Sequence, residues 1–151
     1  MNPVARLNRI MNYKIHRGTQ EIGGSCVELW TQTTRILIDF GMPLVEKDKS
    51  EFNFKKYEKL DVPELINKGV LPDIKGLYKY DKPSVDAIIL SHPHADHYGL
   101  LDYIHENIPI YLGAATHKII ELSNIFLPQS INLRNVRYFN RNEPFIIGDI
   151  N

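Results

Sequence analysis

The sequence predicts an α/β fold in which a mixed β-sheet packs against helices. Residues 85–90 form a nearly continuous apolar run, which is typical of a strand buried on both faces of a sheet. Two later segments, 96–107 and 114–126, have apolar residues at the spacing of an amphipathic helix. The chain has 151 residues, of which 43% are hydrophobic and 24% charged, so we expect one globular domain.

Charge and cysteine content narrow the classes of function. Eighteen basic residues balance eighteen acidic ones, so the protein has no bulk field for a polyanion, and nucleic acid is neither required nor excluded. The lone Cys26 cannot form an intramolecular disulfide. The first residues lack the apolar core of a signal peptide, and no stretch is long enough to span a bilayer. We therefore expect a cytoplasmic protein without a membrane partner.

The first segments of the chain prepare a strand and a loop. Residues 1–11 are expected to form a flexible leader or a short surface helix, and 13–17 alternate weakly, as in a strand. The glycine loop, residues 18–24, lacks the Lys-Ser/Thr ending of a phosphate-binding loop. The principal interpretation is a connection between strands. The alternative is a close approach of this loop to the rim of an active site.

Two strands at 25–30 and 34–40 are rich in Val, Leu and Ile and are separated by a short polar link, which predicts a hairpin. Cys26 is expected to pack inside it. The second strand places Asp39 at the end of an apolar run, where a buried carboxylate needs a partner. Asp39 either caps a local turn near Gly41, or accepts the free N–H of a metal-bound histidine and so fixes its tautomer.

Residues 44–82 form a charged insertion, with nine lysines against eight carboxylates, and we expect it to be mostly helical. One helix is predicted at 61–69, with Asp61 as its cap and Pro63 in its first turn, followed by an ordered loop at 71–78. The insertion either is solvated surface or, through its interleaved lysines and aromatic residues, lines a channel for a single nucleic-acid strand. Because it immediately precedes the strand at 85–90, it is also placed to form a wall of a pocket.

The end of the chain adds a strand at 108–112 and the helix at 114–126. A closing pair of strands is predicted at 136–140 and 145–147. His105 and His117 lie on the predicted helices, where structural or solvent-exposed roles are expected.

Residues 91–99 contain three histidines and a carboxylate and predict a metal site. Pro93 favours an extended conformation at His92, so the side chains of His92, His94 and Asp96 are expected to share one face, while His97 points elsewhere. The layout suits two adjacent cations, with His92 and His94 on the first and Asp96 and His97 on the second. The alternatives are a histidine-rich loop without a ligand, and a role for Asp96 as a helix cap only.

The run His92-Pro-His-Ala-Asp96-His97, with a strand ending in Asp39 ahead of it, resembles the metallo-β-lactamase fold of metal-dependent hydrolases. That resemblance implies a four-layer αββα sandwich of α+β type, of which this chain covers the first half from about residue 13. The phrase Glu21-Ile-Gly-Gly-Ser-Cys26 and the stretch at 71–74 resemble the ribonuclease J branch and its relatives in mRNA 3′-end processing.

The resemblance also implies a site and a reaction. Asp39 would fill the family's first acidic position, and His92, His94, Asp96 and His97 its second motif. A complete site would hold two zinc ions, or manganese, roughly 3.5 to 4 Å apart, which would lower the pKa of a bridging water. Asp96 would hold the second ion and orient the attacking hydroxide. The expected substrate is RNA or another phosphodiester.

The family's remaining ligands, a histidine, a bridging aspartate and a last histidine, have no match after His97. We therefore expect an N-terminal part of the fold that binds metal incompletely, is inactive or nearly so by itself, and covers its exposed sheet edge by forming a homo-oligomer. Two alternatives stay open: hydrolysis of another ester or thioester on the same fold, and a binding module without catalysis.

Overall fold

The computed structural model describes residues 10–126 and 130–151 of the chain. These residues form a six-stranded sheet whose strands lie in sequence order from one edge to the other. The strands are β1 Asn12–Arg17, β2 Cys26–Trp30, β3 Arg35–Ile38, β4 Ala87–Ile89, β5 Ile110–Leu112 and β6 Val136–Tyr138. Strands β1 to β3 pair antiparallel, whereas β3 to β6 pair parallel. This mixed sheet with helices confirms the predicted α/β class and the predicted hairpin.

Within the described residues, the helices are α1 Val62–Asn67, α2 Ala95–Tyr98 and α3 Ala114–Ser123, with 3-10 turns at Phe54–Lys56 and Leu101–Tyr103. Helix α1 begins as predicted. The Asp61 carboxylate accepts a hydrogen bond from the Glu64 N–H (2.9 Å), and the Glu64 carboxylate accepts one from the Asp61 N–H (3.0 Å). This reciprocal pair satisfies two N–H groups that a helix start leaves unpaired. None of these helices is long and apolar enough to cross a membrane.

The prediction of one helix over 96–107 is wrong. The chain makes a single turn of α-helix, α2, and then a 3-10 turn that ends before Ile104. At Leu100 the backbone N–H donates to the Phe40 carbonyl (3.2 Å), a tertiary bond that a continuous helix would not permit. The apolar residues that give this segment its helical spacing, Leu100, Leu101 and Ile104, are all buried, as is Ile108 after it. The spacing of the apolar residues therefore predicted which residues are buried, but it did not predict the change from α-helix to 3-10 turn.

The closing pair of strands is also wrong in its second half. Strand β6 pairs parallel with β5, whereas Ile147 makes an isolated bridge to Ile150. Ile147 is buried against the sheet and the half-buried Phe145 ring stacks on Tyr111 at 5.6 Å, whereas Ile146 is exposed. Side-chain contacts, rather than pairing as a strand, therefore hold residues 145–147 against the sheet. Helix α3 ends three residues earlier than predicted, at Ser123.

The insertion at 44–82 is mostly loop rather than mostly helix, since α1 and one 3-10 turn are its helical parts. Its predicted ordered loop at 71–78 is confirmed, because apolar side chains there enter the core. Leu71, Ile74, Leu77 and Tyr78 are each no more than 1% exposed. Hydrophobic anchoring, not helix formation, therefore orders this segment. Most of the predicted leader at 1–11 lies outside the described residues.

The two faces of the sheet carry separate apolar clusters. On one face Leu37, Ile88 and Ile110 join the large core that the insertion and α3 cover. On the other face Ile36 and Ala87 contact the segment at 145–150. Successive residues of a strand point to opposite faces, so β3 and β4 are apolar at consecutive positions. Cys26 is 1% exposed within the large core, as predicted, and burial raises its pKa to about 12.

The buried carboxylate of Glu28 links the three antiparallel strands β1, β2 and β3. Glu28 on β2 is 6% exposed and accepts hydrogen bonds from the side chains of His16 on β1 (2.6 Å) and Arg35 on β3. Burial by itself raises the pKa of Glu28, but the hydrogen bonds and charges of Arg35 and His16 outweigh burial and hold the pKa below its ordinary value. The ionised form is therefore the one that the folded protein prefers.

We predict that Glu28→Gln lowers the free energy of unfolding by about 1–3 kcal/mol at neutral pH, because the buried His16 side chain and the partly exposed Arg35 guanidinium lose a charged acceptor. A lowered folded pKa stabilises the protein above the ordinary value of 4.5, and that contribution is lost as the pH falls through the folded pKa. The difference in free energy of unfolding between wild type and Glu28→Gln should consequently become smaller at acidic pH. Urea unfolding at a series of pH values measures it, and a difference that does not depend on pH would contradict this role.

Candidate metal centre

The candidate site lies where two neighbouring parallel strands end. Asp39 directly follows β3, and Ser91 follows β4 by two residues. The strands pair in parallel, and the Asp39 N–H donates to the Ile89 carbonyl (2.9 Å). The carboxyl ends of parallel strands meet at one edge of the sheet, which is where α/β proteins place their ligands. The register of β3 and β4 thus brings residues 52 positions apart in the chain side by side.

The Asp39 carboxylate holds the start of the histidine motif. Its Oδ1 accepts the Ser91 N–H at 2.8 Å, and its Oδ2 accepts the Ser91 hydroxyl at 2.8 Å. The same Oδ2 lies 2.7 Å from Nδ1 of His97. Asp39 is 5% exposed and has a φ of 60°, a conformation that Asp tolerates better than most residues. A carboxylate this buried needs such partners, because burial without them is costly.

The three histidine rings of the metal motif, residues 92–97, lie together. The His92 and His94 ring centroids are 4.7 Å apart, and those of His92 and His97 are 3.8 Å apart. The expectation that His97 points elsewhere is therefore wrong. The motif does not stay extended to its end. The turn α2 swings His97 back towards His92, and the bond to Asp39 keeps it there.

His92 and His97 each have Nδ1 in contact with a hydrogen-bonding partner, which leaves Nε2 of each ring available to a metal. Nδ1 of His97 faces Asp39, and Nδ1 of His92 lies 2.9 Å from the Ser91 hydroxyl. A histidine that donates Nδ1–H to a neighbour presents the lone pair of Nε2 to a metal. Asp96 Oδ2 lies 3.4 Å from Nε2 of His97. Two ligands at about 2.1 Å from one tetrahedral ion would be separated by about that distance.

Backbone bonds fix α2 against two other segments. The carbonyls of Ala95, Asp96 and His97 accept hydrogen bonds from Met42 (3.1 Å), Ser25 (3.0 Å) and Phe40 (2.8 Å), in that order. The approach is so close that a Cβ built on Gly41 would lie 1.6 Å from the Asp96 carbonyl oxygen. A side chain at Gly41 is therefore incompatible with the observed position of the metal motif.

The family model described as "Metallo-beta-lactamase superfamily" matches residues 20–133, which include Asp39, Ser91 and the whole metal motif. This chain belongs to that superfamily. The match confirms the resemblance drawn from the metal motif.

Relatives and solved structures agree with that membership. An RNase J-like protein of Methanocaldococcus jannaschii is 32% identical over 120 residues, which are 80% of this chain and 21% of the relative. Transcription termination factor FttA of Methanothermobacter thermautotrophicus is 31% identical over 70% of this chain and 14% of its own length. A protein of unknown function from Enterococcus faecalis has a TM-score of 0.67 at 25% identity, over 93% of this chain and 36% of that structure. The chain thus spans about a fifth or less of these curated relatives.

Members of the metallo-beta-lactamase superfamily generally bind divalent metal ions, often zinc. The donors of the metal motif fit that chemistry, since three imidazoles and a carboxylate converge and two imidazoles have Nδ1 engaged. In the described part of the chain, however, no three His, Cys, Asp or Glu side chains are yet placed to hold one ion together.

Sequence reasoning did not identify the role of Ser91 as a partner of Asp39 and His92, or of Gly41 as the point of contact with α2. The available signals were a hydroxyl residue directly before the metal motif and a glycine two residues after Asp39. Two interpretations were given for the glycine loop at 18–24, a connection between strands and a close approach to the rim of a site. It joins β1 to β2, and a Cβ on Gly23 would lie 2.9 Å from Cβ of Asp96, so the loop also borders the metal motif.

The two remaining histidines of the later segments have local partners. Nδ1 of His117 lies 2.7 Å from the Tyr138 hydroxyl, and Nδ1 of His105 accepts the Asn107 N–H at 3.2 Å. These contacts agree with the structural roles expected for them.

We predict that Gly41→Ala destabilises the protein by more than about 1–3 kcal/mol, because its methyl group would overlap backbone atoms that cannot rotate away. Gly113→Ala is the matched control. Its Cβ would meet nothing closer than 3.8 Å, at a backbone φ of −71° that alanine adopts freely. Thermal unfolding of both variants measures the difference, and equal stability of the two would show that α2 is not locked against Gly41.

Proposed function

We propose that this chain is the metal-binding part of a hydrolase that cleaves phosphodiester bonds of RNA with the help of zinc. Membership in the metallo-beta-lactamase superfamily supports a metal-dependent hydrolase. The name of the RNase J-like relative supports RNA as the substrate. Since the chain covers 21% of that relative, the activity of the whole protein is part of the proposal.

The observation that carries the proposal is the contact of 2.7 Å between the buried Asp39 carboxylate and Nδ1 of His97. Glu28 partners His16 in a similar way. His97 differs because the His92 ring and the Asp96 carboxylate also lie beside it. Metal-bound histidines commonly have such a carboxylate partner, because it fixes the tautomer and raises the basicity of the other nitrogen. Ser91 gives His92 a comparable partner at 2.9 Å. In both His92 and His97, Nδ1 is thus engaged, so Nε2 is the nitrogen available to a metal.

The four residues of the metal motif would divide between two ions. His92 and His94 are in edge-to-face contact and would bind the first, while Asp96 and His97, whose donor atoms are 3.4 Å apart, would bind the second. Bound ions would supply an activated water and stabilise charge on a phosphoryl oxygen. Asp96 would orient that water as well as bind. Catalytic zinc sites usually have three protein ligands, so each ion requires one more than the motif provides.

We propose that residues 1–151 form one partial metallo-β-lactamase-like domain in which 44–82 is a charged insertion. Its loop at 71–78 enters the same core as β3 and β4, which supports a single unit.

We predict that Asp39→Asn lowers zinc affinity by about 10- to 100-fold, the usual effect of removing a group that orients a metal-bound histidine. Asparagine suits this test because it also tolerates the φ of 60° at this position. Asp73→Asn, in the exposed part of the loop at 71–78, is a control with the same change of charge. Isothermal titration with zinc measures both, and an unchanged affinity in Asp39→Asn would assign this carboxylate to a local structural role.

The proposed activity is tested with a short RNA and a small thioester, each with added zinc or manganese and with a chelator. We expect metal-dependent cleavage of RNA to be slow, because the motif would give each ion two ligands rather than three. Asp96→Asn should abolish it, because this carboxylate would both bind an ion and orient the water. Faster hydrolysis of the thioester would favour the other chemistry of the fold. Tight binding of metal without turnover of either substrate would favour a binding module.

A further inference from the structure

A groove of about 1180 Å³ opens between the glycine loop, the segment at 43–57 and the end of α1. Four lysines line this lysine groove, together with two aromatic residues. The lysines are Lys47, Lys49, Lys56 and Lys68, and the aromatic residues are Phe52 and Tyr57. The site described above does not include any of them.

Ion pairs leave the lysine groove with an excess of positive charge. Of its carboxylates, Glu21 makes two hydrogen bonds with the buried Arg17 (2.8 and 3.0 Å), and Glu46 lies 3.3 Å from Lys56. Asp48 accepts hydrogen bonds from the Ser50 N–H (3.0 Å) and hydroxyl (2.6 Å). Glu21 and Glu46 are thus paired with cations, whereas Asp48 keeps its negative charge. Five cationic side chains, Arg17 and the four lysines, against three carboxylates leave two positive charges in excess.

Three of the lysines are not matched in this way. In the part of the chain that the structure describes, Lys47, Lys49 and Lys68 are exposed and have no carboxylate within 4.0 Å. Their ammonium groups are therefore available to an anionic ligand. Three lysines around one groove suit a chain of phosphates rather than a single anion.

Aromatic residues add a second kind of contact. The rings of Phe52 and Tyr57 stack at 5.3 Å with an interplanar angle of 6°, and both line the lysine groove. A flat, partly exposed aromatic surface between lysines matches the alternating bases and phosphates of a single strand. An acidic polypeptide would use the lysines but would gain nothing from the stacked rings.

The groove wall and the metal motif are physically connected. Leu44 donates its N–H to the Ile22 carbonyl (3.0 Å), and Gly23 pairs with Pro43 in an isolated bridge. The same Gly23 borders Asp96, since a Cβ there would lie 2.9 Å from that of Asp96. One end of the lysine groove is thus formed by the loop that contacts a proposed metal ligand.

We propose that the lysine groove binds a single-stranded RNA segment that leads to the metal motif. The inference rests on the proposed function and names the surface that positions its substrate. Binding at this surface needs no metal, so the two proposals are separable by experiment.

The test is fluorescence anisotropy of a labelled single-stranded RNA with the 151-residue chain in EDTA, at a series of salt concentrations. The triple variant Lys47→Ala, Lys49→Ala, Lys68→Ala should bind at least about tenfold more weakly. It should also lose about two from the slope of log K against log salt, because each phosphate contact contributes about 0.7. Lys75→Ala, Lys79→Ala, Lys82→Ala is the matched control, since it removes the same charge from residues that do not line the groove. Thermal unfolding shows whether both variants fold.

Retained affinity and slope in the control, with loss in the groove variant, would support the proposal. Equal weakening in both triple variants would overturn it, because binding would then follow net charge alone. Tighter binding of polyglutamate than of RNA would also overturn it, in favour of an acidic protein partner. Absence of hydrolysis or of zinc binding would count against the proposed function and leave this result unaffected, because the measurement is made without metal.

Discussion

The buried carboxylate of Asp39 organises the functional edge of this protein. It accepts hydrogen bonds from the Ser91 backbone and hydroxyl and lies against Nδ1 of His97, so one side chain links the end of β3, the end of β4 and the turn α2. A carboxylate that is 5% exposed is costly unless its oxygens are satisfied, and all three contacts come from one other segment, residues 91–97. Because burying the Asp39 carboxylate is favourable only when these contacts form, folding at this edge also sets the position of His97.

Close backbone packing supplies the second half of that arrangement. The carbonyls of α2 are held by N–H groups of two separate loops, and Gly41 and Gly23 leave the space in which the loops meet it. Side chains at either position would need room that the backbone of residues 95–97 or the side chain of Asp96 already occupies. The metal motif is thus placed by hydrogen bonds and by the absence of side chains. A site of this kind is preorganised by rigid neighbours rather than by its own ligands.

Charge is distributed differently at the two surfaces that matter. At the metal motif a carboxylate faces the histidines, which suits a cation, whereas the lysine groove has three lysines without partners among the described residues. The chain has no net charge, so neither property is visible in its composition. The insertion at 44–82 produces this separation. Its apolar side chains anchor it in the core, while its lysines remain at the surface.

The α/β class, the hairpin, the capped start of α1, the buried apolar positions after α2 and the family resemblance of the metal motif were all predictable from local sequence. Those features depend on periodicity, capping and spacing over a few residues, which are local properties. Tertiary structure decided where α2 stops, because the N–H of Leu100 binds the Phe40 carbonyl across the fold. It likewise decided that His97 turns towards His92, and that the segment at 145–147 packs on the sheet instead of extending it. The contacts that impose these outcomes join Leu100 to Phe40, His97 to Asp39 and Phe145 to Tyr111. These partners are far apart in the chain, so no pattern within either segment could indicate that they would meet.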